Sequence, residues 1–320
     1  MSELATLGAF SLAGVALGFV FQRSRLCFVS AVRDLILFRA LGMTRAILLL
    51  MTVVSLGGAG ALAVRAWMGW PAAVYDAPSS WPGLLGGAVF GFGMVLAGSC
   101  GAGSLWRLGE GQQSQLYIIA GLFLGTWLYT PVQQFATDTG INLPVNRWTQ
   151  AALMAALLLI VVWLDRRRSD AGEELREIRM RKGFRAQWTP ETGALATAGM
   201  LVVFLVLTGQ VWQVSRAFTL TDHNALVLAV GIVAGGYLGA RVGREWRIRR
   251  AGTIPQILVR LGGGLLMGYS ARMSWGCTVG VLMGGLAVAS AQVWWWFGGA
   301  LAGAWGGTLL LGQLFRRYKL

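Results

Sequence analysis

Two of the three cysteines in this 320-residue sequence lie at matching positions of a glycine-rich block that occurs twice. The first copy, GGAVFGFGMVLAGSCGAG, spans residues 86–103, and the second, GGLLMGYSARMSWGCTVG, spans residues 263–280 without a gap. Five positions are shared, namely Gly86, Gly87, Gly91, Cys100 and Gly103 with Gly263, Gly264, Gly268, Cys277 and Gly280. In a hydrophobic chain this pattern predicts a duplicated membrane protein with a thiol-lined site between its halves.

A helix that begins directly after each of these cysteines presents unpaired backbone N–H groups to the site. The donors are those of Gly101, Ala102 and Gly103 in the first copy and of Thr278, Val279 and Gly280 in the second. Free N–H groups and the positive end of the helix dipole favour an anion. Arg25, Arg107 and Arg272 lie near the cysteines in sequence, and charges at membrane depth are usually functional.

A thiol makes this anion site selective, because a neutral S–H group is a weak donor and sulfur is a soft, polarizable contact. Cys27, Cys100 and Cys277 would therefore suit an anion that carries a soft sulfur atom. Other interpretations stay open: the cysteines as small core residues, and the glycines as helix-packing residues. Glu110 is either an exposed acid at a helix C-cap or a pathway carboxylate paired with Arg107.

The composition indicates that these residues are held by membrane helices. The chain is 56% hydrophobic and 12% charged, whereas soluble domains carry roughly 25% charged residues. We expect an all-α integral membrane protein with about nine spanning helices, at residues 5–22, 44–66, 83–99, 114–131, 148–165, 192–212, 224–246, 258–273 and 290–313. Three helix-like segments, 27–38, 100–111 and 277–289, each begin at a cysteine and are too short to span, which predicts re-entrant half-helices.

Loop charges predict the orientation. Residues 166–185 hold eight Lys or Arg against four acids, and residues 241–250 hold five Arg against one Glu. The positive-inside rule places both loops in the cytoplasm, with the C-terminus cytoplasmic and the N-terminus periplasmic. We therefore expect a first repeat at 1–147, a linking helix and basic loop at 148–189, and a second, inverted repeat at 190–320.

The cysteine motifs resemble those of the YeeE/YedE family of sulfur-compound transporters. The matching pieces are Arg25-Leu26-Cys27-Phe28, Leu96-Ala97-Gly98-Ser99-Cys100-Gly101 and Ser274-Trp275-Gly276-Cys277. The resemblance implies thiosulfate uptake across the bacterial inner membrane, with Cys27, Cys100 and Cys277 as pathway thiols. It also implies a TusA-like sulfur carrier as a cytoplasmic partner. Ser215-Arg216-Ala217-Phe218 echoes Ser24-Arg25-Leu26-Cys27, so Phe218 stands where a fourth thiol would lie.

Other function classes are weaker matches to the sequence. Sulfite, sulfide or a selenium compound are alternative substrates, and a structural subunit is an alternative role. A membrane thiol oxidoreductase or sulfurtransferase would need a C-x-x-C pair or a base beside a cysteine, and neither pattern occurs. We therefore expect a transporter that is not an enzyme, with no catalytic residue, metal site, cofactor or nucleic-acid partner. Asp34 and Glu110 are the acids available for proton coupling.

Overall fold

The computed structural model describes residues 3–71, 81–131, 146–169 and 186–318. Over these residues the chain forms eleven α-helices, a 3-10 helix and a π-helical segment, with no β-strand. The α-helices are α1 (Glu3–Ser24), α2 (Phe28–Phe38), α3 (Gly42–Trp67), α4 (Trp81–Ala97), α5 (Gly101–Gly109), α6 (Gln115–Tyr129), α7 (Arg147–Ser169), α8 (Pro190–Thr208), α9 (His223–Val242), α10 (Ile254–Met273) and α11 (Gln292–Tyr318). The 3-10 helix is Val214–Thr219, and the π segment is Val279–Gly285.

The all-α membrane fold is confirmed, and a helix lies at each of the nine predicted spans. Within the described residues, six helical stretches are long and apolar enough to cross a membrane, namely Glu3–Phe38, Gly42–Trp67, Trp81–Gly109, Arg147–Asp165, Pro190–Thr208 and His223–Val242. The apolar helix α6 has only 15 residues. Membrane crossing by α6, α10 and α11 therefore stays a prediction. Most of the basic loop 166–185, on which the orientation depends, lies outside the described residues.

The duplicated glycines pack helices, and they do so in the same way twice. α4 packs on α11, and α10 packs on α6. A Cβ atom at any of four block glycines would lie within 2.3 Å of a carbonyl oxygen on the partner helix, at Gly87, Gly91, Gly264 and Gly268. The facing carbonyls belong to Trp296, Ala300, Ile118 and Leu122, respectively. In both helix pairs the two glycines are four residues apart and so are the two facing carbonyls. The duplicated sequence therefore makes duplicated contacts, and any side chain would separate the helices.

Helices from the two predicted repeats interlock. α1 packs on α9 and α3 packs on α8, in addition to the two glycine-mediated pairs. α7 lies outside this arrangement and packs on α3. Each long helix of the first 147 residues therefore has a partner beyond residue 189, and the short helices lie between them.

Candidate functional site

Each cysteine stands immediately before a short helical segment. Cys27 is the N-cap of α2, and Cys100 is the N-cap of α5. Cys277 precedes Thr278 and the π segment, which replaces the third predicted α-helical segment. The three predicted short helical segments are thus present, and one has π geometry. π segments occur frequently at functional sites.

Two residues before each cysteine, the backbone turns into the left-handed region. The φ angles are 54° at Arg25, 71° at Gly98 and 61° at Trp275. Each of these residues ends a long helix and redirects the chain into the short segment. Glycine adopts this conformation without steric cost, whereas Arg25 and Trp275 each carry a backbone cost of roughly 1–2 kcal/mol. Such strain concentrates at functional sites.

The three short segments converge on one buried cavity of about 40 Å³. Cys27 and Cys100 line it, together with Thr278 and Val279, which directly follow the buried Cys277. The remaining wall is mainly apolar, from Phe21, Leu26, Phe28, Ile47, Leu50, Met51, Ala102, Gly103, Trp106, Leu282 and Met283. Thiols from distant parts of the sequence are thus brought to one place in weakly polar surroundings.

Arg107 and Gly103 bind sulfur atoms directly. The Arg107 guanidinium donates to Cys27 Sγ at 3.6 Å and to the Gly98 carbonyl at 2.9 Å, so it connects the first two cysteine segments. The backbone N–H of Gly103 donates to Cys100 Sγ at 3.4 Å. The prediction that all first-turn N–H groups of α5 are free is therefore wrong for Gly103, because the cysteine caps its own helix.

At one side of the cavity, four charged residues form a group that we call the Arg25 network: Arg23, Arg25, Glu110 and Glu245. Arg25 donates to both carboxylate oxygens of Glu110, at 2.6 and 2.9 Å, and to Glu245 at 2.8 Å. Glu110 is 1% exposed and also lies 3.6 Å from Arg249. It is the C-cap of α5, but it is not exposed, and it pairs with Arg25 instead of Arg107. The predicted C-cap position is therefore confirmed, whereas the predicted exposure and the predicted pairing with Arg107 are wrong.

Glu245 lies in the loop after α9, outside the spanning helices. Burial favours the neutral carboxyl, but the positive charges of Arg23 and Arg25 and a hydrogen bond from Gln22 outweigh this effect. The pKa of Glu245 is consequently lowered from its ordinary value. The side chain of Glu245 is thus favoured in its charged form near neutral pH.

Trp106 is a cavity residue that sequence reasoning missed. It is 1% exposed, and the guanidiniums of Arg25 and Arg107 lie 5.4 and 5.2 Å from its ring centre. Its indole N–H is buried without a hydrogen-bond partner among the described residues. The available signal was an aromatic residue directly before Arg107 within a cysteine-capped short helix.

At the other side lies a second, polar cavity of about 320 Å³, which we call the Arg216 vestibule. Its walls come from α1, the segment after α8, the 3-10 helix and the start of α9. The lining residues are Phe10, Gly209, Gln210, Val211, Gln213, Arg216, Asp222, Asn224 and Ala225. Arg216 lies 3.8 Å from Asp222, and both are partly exposed. Arg272 lies near Tyr129 and Arg216, so it belongs to this side and not with Arg25 and Arg107.

The remaining predicted site residues lie between the two cavities. A Cβ atom on Gly101 would be 3.7 Å from the Phe218 ring, and one on Gly280 would be 3.8 Å from Gln213. Both glycines therefore have room for a side chain, unlike the packing glycines of α4 and α10. Over the described ranges, no group of three or more His, Cys, Asp or Glu side chains is placed to hold a metal ion.

Comparison with known proteins finds a family model and relatives that match most of the chain. A family model described as Sulphur transport matches residues 23–306. The thiosulfate transporter TsuA of Escherichia coli is 26% identical over 328 residues, which cover 88% of this chain and 87% of that protein. TsuA of Spirochaeta thermophila is also 26% identical, with 88% and 92% coverage. The probable transporter YedE of Escherichia coli is 32% identical over half of this chain and 42% of its own length.

Proposed function

Because the chain belongs to the Sulphur transport family, we propose that it carries thiosulfate, or a closely related sulfur-containing anion, across the membrane. The observation that carries this proposal is the convergence of the cysteine-capped segments on one buried cavity. TsuA transporters, by their names, carry thiosulfate, and two of them match this chain over most of its length. Contacts with sulfur atoms stabilise a soft, polarizable anion. For a hard, strongly hydrated anion the same contacts compensate less well for the water that it must lose.

Each predicted residue has a distinct role in this proposal. Cys27, Cys100 and Cys277 offer successive weak S–H donors, and Arg107 supplies positive charge beside Cys27. The backbone at Gly101, Thr278 and Gly280 borders the route, while Gly103 keeps Cys100 in place. Arg272 attracts the anion at the Arg216 side, and Arg25 with Glu110 closes the opposite side.

The thiol cavity must widen during transport. A water molecule needs roughly 10–15 Å³ of such volume, so 40 Å³ holds about three. Thiosulfate has five heavy atoms and exceeds that space. We therefore assign the described conformation to a closed state, in which the two sides of the membrane are not connected through the cavity.

Uptake into liposomes tests the proposal. Purified protein should accumulate labelled thiosulfate, and Cys100→Ala and Cys277→Ala should each abolish uptake, because both thiols lie on the route. Thr308→Ala is a matched control, since it removes a buried polar group from α11 away from the thiol cavity and should leave uptake near the wild-type rate. Normal uptake by both cysteine variants would contradict the proposal that the anion passes along these thiols.

The substrate and the absence of covalent chemistry are further parts of the proposal. Sulfite, sulfide, sulfate and selenite, added in excess, should compete less well than unlabelled thiosulfate. The side chain bound to the Cys27 sulfur is Arg107, which does not lose its proton in proteins and therefore cannot act as a general base. Mass spectrometry during uptake should accordingly find no persulfide or disulfide; such an adduct would favour a sulfurtransferase.

We also propose a bacterial inner-membrane location with two inverted repeats, 1–147 and 190–320, joined by residues 148–189. The repeated contacts of α4 with α11 and of α10 with α6 support the duplication. The exposed arginines at 241–250 support a cytoplasmic Arg25 side, which makes the N-terminus periplasmic. Reporter fusions at both termini test this: a periplasmic signal from a C-terminal fusion would contradict it.

A TusA-like sulfur carrier is the proposed partner at the cytoplasmic side. A soluble carrier there would remove arriving sulfur and draw transport inward without an ATP-binding loop. This proposal is supported by the family resemblance and by the basic loop at residues 241–250, which contains Glu245 of the Arg25 network. Crosslinking of a TusA-like protein to this loop should weaken when Arg247 and Arg250 are replaced by Glu; unchanged crosslinking would place the contact elsewhere.

A further inference from the structure

Phe218 occupies the position of the second half that corresponds to Cys27. It lies in the 3-10 helix Val214–Thr219 and is 6% exposed. Its ring meets Phe123 edge to face, with centroids 5.2 Å apart. The same ring lies over Gly101, where an added Cβ would be 3.7 Å from Phe218 Cε2. Phe218 is therefore held by an aromatic partner on one side and faces the start of α5 on the other.

Residues of the 3-10 helix adjoin both cavities. Gln213 and Arg216, just before Phe218, line the Arg216 vestibule. Cys100 and Ala102, on both sides of Gly101, line the thiol cavity. The Phe218 ring, which lies over Gly101, thus stands between the polar Arg216 vestibule and the Cys100 thiol.

We propose that Phe218 is the barrier between the Arg216 vestibule and the thiol cavity, and that it selects against strongly hydrated anions such as sulfate. Crossing an apolar contact requires an anion to shed water, and this costs most for the most strongly hydrated anion. A soft sulfur anion loses less water and regains a sulfur contact at Cys100. The second half would then have an apolar barrier that selects by hydration at the position where the first half has a thiol. The selectivity part rests on the proposed function, whereas the barrier itself does not.

Thiol labelling tests the barrier without any transported substrate. In a Cys27→Ser, Cys277→Ser background, Cys100 should react slowly with a charged methanethiosulfonate reagent in detergent. Phe218→Ala should speed this labelling by about tenfold, since it opens an apolar constriction. Phe218→Leu keeps most of the buried volume and should give a smaller increase. Phe90→Ala is the matched control, because this buried ring packs on Trp296 between α4 and α11 and should leave the rate unchanged.

An unchanged labelling rate in both Phe218 variants, each eluting as a single folded species, would overturn the barrier. Sulfate transport provides the second readout. Phe218→Ala in the native cysteine background should raise the ratio of sulfate to thiosulfate uptake several-fold, and an unchanged ratio would overturn the selectivity. If the wild type carries no thiosulfate, the proposed function fails while faster labelling still supports the barrier.

Discussion

Arg25 and Arg216 each follow a serine in two segments of similar sequence, yet they lie in different surroundings. Arg25 grips the buried carboxylate of Glu110 with two hydrogen bonds and also reaches Glu245. Arg216 lies beside an open polar vestibule, with 51% of its side chain exposed and Asp222 3.8 Å away. Two residues later, the first half has the thiol of Cys27 and the second has the ring of Phe218. Both segments begin with Ser-Arg, but the arginines and the residues two positions later have different surroundings.

The difference implies unequal costs of opening. Separating Arg25 from Glu110 would leave the buried carboxylate with only the largely exposed Arg249, 3.6 Å away, as a charged partner, which is strongly unfavourable. Moving Phe218 needs only a rotation of an apolar ring, and the Arg216–Asp222 pair is exposed enough to contribute little. We therefore expect the Arg216 side to open more readily and the Arg25 side to limit passage.

Removing the Glu110 charge should have the largest effect on stability. Glu110→Gln keeps the shape of the side chain but takes the bidentate carboxylate from Arg25, and the free energy of unfolding should fall by about 3 kcal/mol. Asp222→Asn is the counterpart at the other side. It keeps the N-cap of α9, whose first-turn N–H at Ala225 binds the side-chain oxygen, and it should cost less than about 1 kcal/mol.

Denaturant titration of both variants in detergent micelles measures this contrast. Equal losses of stability in the two variants would contradict the unequal barriers.

A middle-sized effect concerns the chain reversals before Cys100 and Cys277. The first uses Gly98 in the left-handed region, and the second uses Trp275. An alanine side chain at 98 would meet no atom within 4 Å, so Gly98→Ala should lower the free energy of unfolding by about 1 kcal/mol through the backbone alone. Gly262→Ala also meets no atom, but Gly262 lies within α10, and the substitution should stabilise by roughly 0.5–1 kcal/mol.

The opposite signs of these two glycine substitutions make the test specific, and denaturant titration again measures both. If Gly98→Ala were as stabilising as Gly262→Ala, the reversal before Cys100 would not depend on a left-handed residue.

The sequence contained enough information for the helices and for the cysteines as starts of short segments. Long apolar runs leave few alternatives in a bilayer, and a cysteine between a glycine-rich span and a short apolar stretch indicates a helix break. The packing role of Gly87 and Gly264 was an open alternative, since a glycine pattern alone does not say whether it faces a helix or a ligand.

The partners of the charged residues were beyond the sequence. Arg25 and Glu110 are 85 residues apart, and Glu245 is a further 135 residues along the chain. Their meeting depends on how α1, α5 and α9 pack, whereas Arg107 was the obvious partner by proximity in sequence. The π geometry after Cys277 was likewise hidden, because it changes the hydrogen-bond register of a segment whose helical composition is ordinary.

The smallest expected effect is a pH dependence confined to the Arg25 side. The pKa of Glu245 is lowered in the folded protein by Arg23 and Arg25, so the folded state binds fewer protons there than the unfolded state. The stabilising contribution of Glu245 to the free energy of unfolding is fully present above the ordinary glutamate pKa of about 4.3. It is lost as the pH falls through the lower pKa that Glu245 has in the folded protein. Because Glu245 is 26% exposed, the contribution should stay below about 1 kcal/mol. Glu245→Gln should therefore be less stable than the wild type at pH 7, and the gap should narrow below about pH 4. Gly262→Ala changes no titratable group, so its difference in free energy of unfolding from the wild type should stay constant across the same pH range. If the difference for Glu245→Gln also stayed constant, Glu245 would not belong to the ion pairing of the Arg25 network.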